Sequence, residues 1–219
     1  GQPVPRAAHC EPLRQWRGLP ADSLPTRHEA LRRIIELTPL DSTVVLASTG
    51  FSGRELYAID DRPNQLYMVG SMGCVSLLAL GVSLARPDLR VVALDGDGAA
   101  LMRMSAFATL GAYGRGNLLH LLLDNGVHDS TGGQATVSPH VSFAAIAAAC
   151  GYASAIEGDD ASVIDALFDD AGQRALPDAP RFARLTIRRG TPDGLPRPTV
   201  SPVDVKTRLM RQLGAHTGV

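Results

Sequence analysis

The chain has 219 residues, of which 45% are hydrophobic and 20% are charged, a balance that is ordinary for a globular protein and excludes a largely disordered one. Its 21 basic and 22 acidic side chains leave a net charge of -1, so the overall charge gives no case for a nucleic acid or membrane partner. Three separated cysteines form no disulfide or metal pattern, and no apolar run approaches a membrane span. We therefore expect a cytoplasmic protein without a signal peptide.

The sequence predicts one main domain with a segment on either side of it. The first 25 residues contain five prolines and little periodicity, which indicates an extended arm (residues 1–25). Thr26 and Glu29 then form a capping box, which predicts that a helix begins there. We expect the main domain to cover residues 26–190 and a C-terminal linker and helix to cover residues 191–219.

Short apolar runs alternate with helical patterns through the main domain. The predicted strands cover residues 43–47, 66–69, 91–94, 118–123, 152–156 and 184–188. The predicted helices cover residues 53–60, 74–85, 99–112, 141–150, 160–171 and about 203–213. Strands that are apolar throughout and separated by helices are typical of a parallel sheet covered on both faces. The predicted fold is therefore α/β: a doubly wound, mainly parallel sheet of about six strands with helices on both faces.

Small and polar residues follow four consecutive predicted strands. These segments are Ser48-Thr49-Gly50, Gly70-Ser71-Met72-Gly73, Asp95-Gly96-Asp97-Gly98 and Asp124-Asn125-Gly126. In a parallel sheet, ligands bind beyond the carboxyl ends of the strands, where helices begin and backbone N–H groups can reach a phosphate. The four segments together predict a ligand site at this edge of the sheet.

Asp97 and Asn125 carry the metal chemistry of this predicted site. Each follows a strand directly, and a helix and a strand lie between them, so the βαβ geometry places them on adjacent strand ends. Their oxygen atoms, with no cluster of His or Cys nearby in the sequence, suit magnesium bridging a diphosphate better than zinc.

The same residues resemble the GDG…NN signature of thiamine diphosphate enzymes. Gly96-Asp97-Gly98 is followed by a predicted helix, a strand and Asp124-Asn125. Four longer segments are similar to the diphosphate-binding domain of phosphonopyruvate and sulfopyruvate decarboxylases; they cover residues 48–57, 69–73, 94–102 and 128–134. The resemblance runs from about Thr26 to Arg188 and implies the thiamine diphosphate-binding fold.

The resemblance also implies roles for individual residues. The magnesium ligands would be the side chains of Asp97 and Asn125 and the backbone carbonyl of Val127. The diphosphate would be held by Thr49, Gly98 and Ala99. The carbonyl of Gly70 and the amide of Met72 would bond the aminopyrimidine, and the Met72 side chain would bend the cofactor. The cofactor-binding set is completed by Gly50, Ser71 and Gly96, and the candidate catalytic residues are His128 and Thr131.

Two departures from the family pattern shape the functional hypothesis. Asp124 stands where the family usually has Asn, and its extra negative charge beside a diphosphate has no explanation in the sequence. No glutamate can be assigned the activating role that thiamine diphosphate enzymes take from a pyrimidine-binding domain. The economical interpretation is the β-type subunit of a split decarboxylase, completed by an α-type subunit that supplies this glutamate, with an α2β2 assembly as our hypothesis.

Several alternatives stay open at this point. The chain could belong to a carboligase that joins two carbonyl compounds, or it could be a non-catalytic module that binds the cofactor or another phosphate compound. Arg54 could pair with an anionic substrate or make a structural salt bridge. The acidic pairs Asp159-Asp160 and Asp169-Asp170 are interpreted as a solvated helix face.

Overall fold

Seven parallel strands form the central sheet of the computed structural model, which describes residues 10–173 and 176–215. All strands, in chain order, are β1 (Leu13–Gln15), β2 (Thr43–Ala47), β3 (Gln65–Tyr67), β4 (Arg90–Gly96), β5 (Leu118–Asp124), β6 (Val127–His128), β7 (Gln134–Ala135), β8 (Ser154–Gly158) and β9 (Arg181–Thr186). The sheet order is β1-β8-β9-β5-β4-β2-β3, while β6 and β7 form a separate antiparallel hairpin. Residues 1–9 of the predicted arm and 216–219 of the predicted C-terminal segment lie outside the described residues.

The helices agree with the predicted pattern, with two interruptions. They are α1 (Arg27–Glu36), α2 (Phe51–Ile59), α3 (Val75–Ala85), α4 (Asp97–Met102), α5 (Ala106–Tyr113), α6 (Phe143–Ala149), α7 (Ser162–Phe168), α8 (Asp170–Gln173) and α9 (Pro202–Gln212). The predicted helix 99–112 is divided because Arg103 leaves the helical region, at φ -137° and ψ 51°. The predicted helix 160–171 is divided at Asp169, whose side chain accepts hydrogen bonds from the first amides of α8. The capping box of α1 is confirmed.

Both faces of the sheet are covered, as the continuous apolar strands predict. In β5, Leu119, Leu121 and Leu123 pack against α1, α2 and α7 on one face, and Leu118 and Leu122 pack against α3, α5 and α6 on the other. Alternate side chains of a strand point to opposite faces, so a strand without polar alternation must be buried on both. The doubly wound α/β fold is thus confirmed.

The chain reverses its direction of travel across the sheet between β2 and β4. It passes from β2 outward to β3, returns to the other side of β2 as β4, and continues to β5. The helices that follow β2 and β4 therefore lie on opposite faces and leave a crevice between their N-termini. This topological switch point positions the candidate site.

The N-terminal arm supplies the seventh strand, which corrects the predicted number of about six. Leu13–Gln15 pair with β8, and the carboxylate of Asp159 accepts hydrogen bonds from the amides of Arg17 (2.8 Å) and Leu19 (3.0 Å). Burial opposes ionisation of Asp159, but these amides hold its pKa below the usual value. The interpretation of Asp159 as part of a solvated helix face is wrong, because this side chain is buried and binds the arm.

The final helix packs on the opposite edge of the sheet. In α9, Val205 and Leu209 are buried, and Arg208 makes two 2.7 Å bonds to Asp61, in the turn before β3. The helix begins at Pro202, after Ser201 has accepted a hydrogen bond from the amide of Asp204. This helix therefore covers the free edge of β3. Among the described residues, we find no helix long and apolar enough to cross a membrane.

Candidate functional site

The four predicted strand ends meet at one edge of the sheet. Their strands are consecutive neighbours in the order β5-β4-β2-β3, and the register aligns Ala47 with Leu94 and Gly96 with Leu123. A cleft opens where these strands end. The predicted site residues that line it are Thr49, Gly50, Met72, Gly96, Asp97, Gly98, Ala99, Asn125, Val127 and His128.

An adjoining cavity of about 610 Å³ collects the other predicted residues. Gly70, Ser71 and Thr131 line this cavity, which shares Thr49, Gly50 and Met72 with the cleft. Its far wall comes from the C-terminal segment, with Arg197, Pro198, Val200 and Pro202. The two spaces together form a continuous groove from the end of β5 to the end of β3.

Asp97 is a buried carboxylate at the floor of the cleft. Only 3% of the residue is exposed, and its Oδ2 atom accepts a 2.5 Å hydrogen bond from the Thr136 hydroxyl. Burial and then the negative charge of Asp124 raise the pKa of Asp97 above its usual value. No basic side chain pairs with Asp97 in the described part of the chain. A buried carboxylate in this situation is stabilised by a cation.

Asn125 lines the same cleft as Asp97 and has two fixed hydrogen bonds. Its Oδ1 atom accepts from the backbone amide of Val127 (3.2 Å), and its Nδ2 atom donates to Asp129 (2.6 Å). Asp129 also accepts from Arg27 in the first turn of α1, at 3.1 Å. Asp129, Arg27 and Thr136 were not predicted as site residues. Asp129 lies in the family-like segment 128–134 and Arg27 in the capping box, but neither motif assigned them a role.

The backbone of the Gly70-Ser71-Met72-Gly73 loop is held in an unusual conformation. Gly70, Ser71 and Gly73 have φ angles of 69°, 49° and 84°, in the left-handed region that a side chain such as that of Ser71 rarely adopts. A Cβ atom on Gly73 would lie 2.8 Å from the carbonyl oxygen of Ala99. The loop therefore needs glycine to approach the start of α4, and the Thr49 hydroxyl ties it to β2 by accepting from the Gly70 amide (3.2 Å).

The two candidate catalytic residues have different surroundings. The imidazole of His128 lies directly against Gly98, where an added Cβ atom would be 2.5 Å from the ring. Thr131 is exposed, and its hydroxyl donates to the backbone carbonyl of His128 (3.4 Å). His128 thus faces the cleft, whereas Thr131 faces the adjoining cavity. Their catalytic roles stay a prediction.

The structure explains the acidic residue at position 124. Asp124 is 2% exposed, and its Oδ2 atom accepts from Arg184 at 2.6 and 2.7 Å. Its Oδ1 atom accepts from the Ser138 hydroxyl and the Gly126 amide, both at 2.9 Å. The negative charge is therefore neutralised by an arginine of β9, and the side chain holds the loop that carries Asn125.

Arg54 and its neighbour Glu55 both have structural partners. Arg54 donates to the backbone carbonyls of Leu195 (2.5 Å) and Pro196 (3.4 Å), which fasten the C-terminal segment over α2. Glu55 is buried and pairs with Arg27 at 2.6 Å. Within the described ranges, none of the residues that line the cleft is a glutamate.

The cleft's donor set fits a hard divalent cation and a diphosphate. The described residues contain no group of three or more His, Cys, Asp or Glu side chains that could hold a metal. The predicted magnesium site is not a group of that kind, because its ligands are one carboxylate, one amide oxygen and one backbone carbonyl. In the described part of the chain, the buried Asp97 lacks a cationic partner. This observation agrees with a magnesium ion at this position.

A doubly wound sheet with a glycine-lined crevice at its switch point is typical of α/β proteins that bind phosphorylated cofactors. A family model described as the thiamine pyrophosphate enzyme, C-terminal TPP binding domain, matches residues 49–183, and the chain belongs to this family. A solved structure of a Mycobacterium smegmatis protein assigned to the thiamin diphosphate-dependent enzymes shares the fold. Its TM-score is 0.61 at 20% identity, over 76% of this chain and 32% of that one.

Within this family, the chain is similar to curated decarboxylases of phosphonopyruvate and sulfopyruvate. Phosphonopyruvate decarboxylase of Streptomyces viridochromogenes is 46% identical over 94% of this chain and 51% of its own length. Sulfopyruvate decarboxylase subunit beta of Methanothermobacter thermautotrophicus is 37% identical over 76% of this chain and 84% of its own length. The subunit beta of Methanococcus maripaludis is 30% identical over 86% and 97%. The chain thus spans about half the length of the first of these relatives and nearly all of the last.

Proposed function

We propose that the chain is the diphosphate-binding subunit of a magnesium- and thiamine diphosphate-dependent 2-oxo acid decarboxylase. The observation that carries the proposal is the buried Asp97 at the switch point, which shares its cleft with Asn125 and has no cationic partner within residues 10–173 and 176–215. The names of the relatives support decarboxylation and a substrate that resembles phosphonopyruvate or sulfopyruvate.

The proposed contacts to the metal and the diphosphate lie in the cleft, and those to the aminopyrimidine lie in the adjoining cavity. Asp97, Asn125 and the carbonyl of Val127 would hold magnesium. Thr49, Gly98 and Ala99 would hold the diphosphate in the cleft. Gly70, Ser71 and Met72 would meet the aminopyrimidine in the adjoining cavity, with Gly50 and Gly96 leaving room between them. Thiamine diphosphate, when bound, supplies an electron sink for the electron pair that remains when carbon dioxide leaves a 2-oxo acid.

Two features of this chain would handle the anionic substrate. His128 lies beside the proposed metal loop and can donate a hydrogen bond or a proton into the cleft, and Thr131 and Arg197 line the cavity next to it. Arginine is well suited to a phosphonate or sulfonate group, because its planar fork of donors matches such oxygens. We infer that these side chains form one wall of the substrate pocket.

The other wall is proposed to come from a separate pyrimidine-binding subunit. The cleft-lining residues of the described ranges include no glutamate that could activate the aminopyrimidine. The relatives named subunit beta, which this chain covers for 84% and 97% of their length, support a split enzyme. Mass measurement of the natural assembly tests this point, because a split enzyme requires a second chain of comparable size, whereas a single-chain enzyme requires one polypeptide of about twice this length.

Activity of the assembled enzyme tests the reaction. Phosphonopyruvate, sulfopyruvate and pyruvate are each supplied with magnesium and thiamine diphosphate, with and without an acceptor aldehyde. Release of carbon dioxide and the matching aldehyde from an anionic 2-oxo acid is the expected result. Formation of acyloin alone would identify a carboligase instead. Tight cofactor binding with no turnover of any of the three acids would favour a non-catalytic module.

A further inference from the structure

Asp129 occupies a position between the cofactor cleft and the first helix. Its Oδ2 atom accepts two hydrogen bonds, from the Asn125 amide nitrogen at 2.6 Å and from Arg27 at 3.1 Å. The side chain of Asp129 is 18% exposed and that of Arg27 is 6% exposed. The first bond is short and the acceptor is charged, which makes it a strong constraint on the amide.

The chemistry of the two groups fixes which end of the amide faces Asp129. An ionised carboxylate can only accept hydrogen bonds, and of the two ends of an asparagine amide only Nδ2 can donate. Nδ2 must therefore point to Asp129, and Oδ1 must point the other way. The Oδ1 atom accepts one bond from the Val127 amide, which leaves one of its two lone pairs for another partner.

We propose that Asp129 is a positioning residue, which orients the Asn125 amide so that its oxygen rather than its nitrogen faces the cation. This inference rests on the proposed function, in which Asn125 is a magnesium ligand. An amide that turned over would present Nδ2 to the metal, and a nitrogen that carries two hydrogens cannot ligate magnesium. The carboxylate removes this second orientation before the metal arrives.

Arg27 in turn holds Asp129. Its other guanidinium nitrogen donates to Glu55 at 2.6 Å, and its Cζ atom lies 5.8 Å from the centre of the Phe51 ring. Arg27 begins α1 and Glu55 lies within α2, so two helices of the main core fix the guanidinium. The Asn125 amide is thus oriented by a chain of charged hydrogen bonds that is anchored away from the loop on which it lies.

Magnesium affinity separates this role from a merely structural one. Magnesium is titrated by calorimetry into the assembled enzyme at saturating thiamine diphosphate, for the natural sequence, Asp129→Asn and Asp129→Glu. Asp129→Asn is expected to weaken magnesium binding by about tenfold or more, because its own amide can face Asn125 with either end. Asp129→Glu keeps an acceptor-only group and is expected to recover most of the affinity. Asp41→Asn serves as the matched control. It removes an exposed charge just before β2 begins, at the opposite end of the strands from the cleft.

A second background makes the test specific for amide orientation. Asn125→Asp replaces the amide with a carboxylate whose two oxygens are equivalent, so no orientation remains to be set. In that background, Asp129→Asn is expected to leave magnesium affinity unchanged or to improve it by removing a repulsion. Equal weakening in both backgrounds would show that Asp129 only stabilises the loop, and no weakening in either would also overturn the proposal.

The unmodified sequence offers a check that does not depend on how the variants fold. In ¹⁵N-labelled protein, one side-chain amide proton of Asn125 is expected to be hydrogen-bonded without metal and to remain so when magnesium and thiamine diphosphate are added. Loss of that bond on metal binding would overturn the positioning role. Failure of the natural enzyme to bind magnesium with thiamine diphosphate would contradict the proposed function instead.

Discussion

Asp97 follows β4 and Asp124 ends the neighbouring strand β5, and both are almost fully buried, but their partners differ. Asp124 accepts two hydrogen bonds from Arg184, one from the Ser138 hydroxyl and one from the Gly126 amide. Asp97 accepts from the Thr136 hydroxyl, and the negative charge of Asp124 raises its pKa further after burial. A buried charge that the protein neutralises is costly to leave unpaired, whereas one that the protein does not neutralise is available to a ligand.

The same difference separates the two sides of the sheet. On the β8 and β9 side, Arg184 lies between Asp124 and Glu157 and beneath the Trp16 ring, whose centre is 5.3 Å from its Cζ atom. On the β2 and β4 side, the strand ends carry glycines, a left-handed Ser71 and the carboxylate of Asp97. One side has internal ion pairs, and the other has a buried carboxylate that no described basic side chain neutralises.

Arg184→Met is expected to have the largest effect, because it leaves the buried Asp124 without its arginine partner, while Glu157 keeps Arg14 at 3.2 Å. The expected cost is about 3 kcal/mol in the free energy of unfolding. Denaturant titration at pH 7 measures this loss.

Asp124→Asn added to Arg184→Met provides the control for this prediction. Removal of the unpaired Asp124 carboxylate should restore part of the lost stability, because its buried, unpaired charge causes the loss. An Arg184→Met protein as stable as the natural one at pH 7 would mean that the ion pair contributes little. The comparison between the two sides would then fail.

Asp97→Ala is expected to weaken magnesium-dependent binding of thiamine diphosphate by about 100-fold, which corresponds to about 2.7 kcal/mol. The reason is that the only charged ligand of the proposed site is lost. Calorimetry with the assembled enzyme measures the change. Asp124→Asn is the matched variant one strand away and should bind within about threefold of the natural sequence. Equal losses in both variants would remove the distinction between the two carboxylates.

Asp97→Asn is expected to stabilise the metal-free protein, and the sign follows from its pKa. Burial and Asp124 raise the pKa of Asp97 above 3.8, so the folded chain binds this proton more tightly than the unfolded chain. The free energy of unfolding therefore falls as the pH rises from 3.8 through the folded pKa, and the full deficit is present above that pKa. Relief of about 1 kcal/mol would raise the Tm by about 2–4 °C. A lower Tm at pH 7 would contradict this account.

Asp159→Asn is expected to have the smallest effect. The lost charge weakens its bonds to the amides of Arg17 and Leu19, at a cost of about 1 kcal/mol or less. Amide hydrogen exchange of Arg17 and Leu19 should become faster, while exchange in β5 should not change. Unchanged exchange at both arm amides would show that strand pairing with β8, rather than Asp159, holds the arm.

Much of the fold could be predicted from the sequence because it depends on local patterns. The continuous apolar run of β5 requires burial on both faces, and Thr26 with Glu29 fixes where α1 begins. The edge strand Leu13–Gln15 could not be predicted, because three residues among prolines carry no periodicity and their pairing depends on β8, which lies far away in the chain. Residues spaced along one strand or helix can be predicted, but contacts between distant segments cannot.

The sequence by itself determined the candidate site's residue types, since Asp97, Asn125 and the glycines follow strands that one parallel sheet must bring to one edge. Only the tertiary structure decided which acidic residues are neutralised, because Arg184 and Arg27 reach Asp124 and Asp129 from distant parts of the chain. A carboxylate's role depends on the charges within a few ångströms of it. Those distances are set by packing, not by spacing along the sequence.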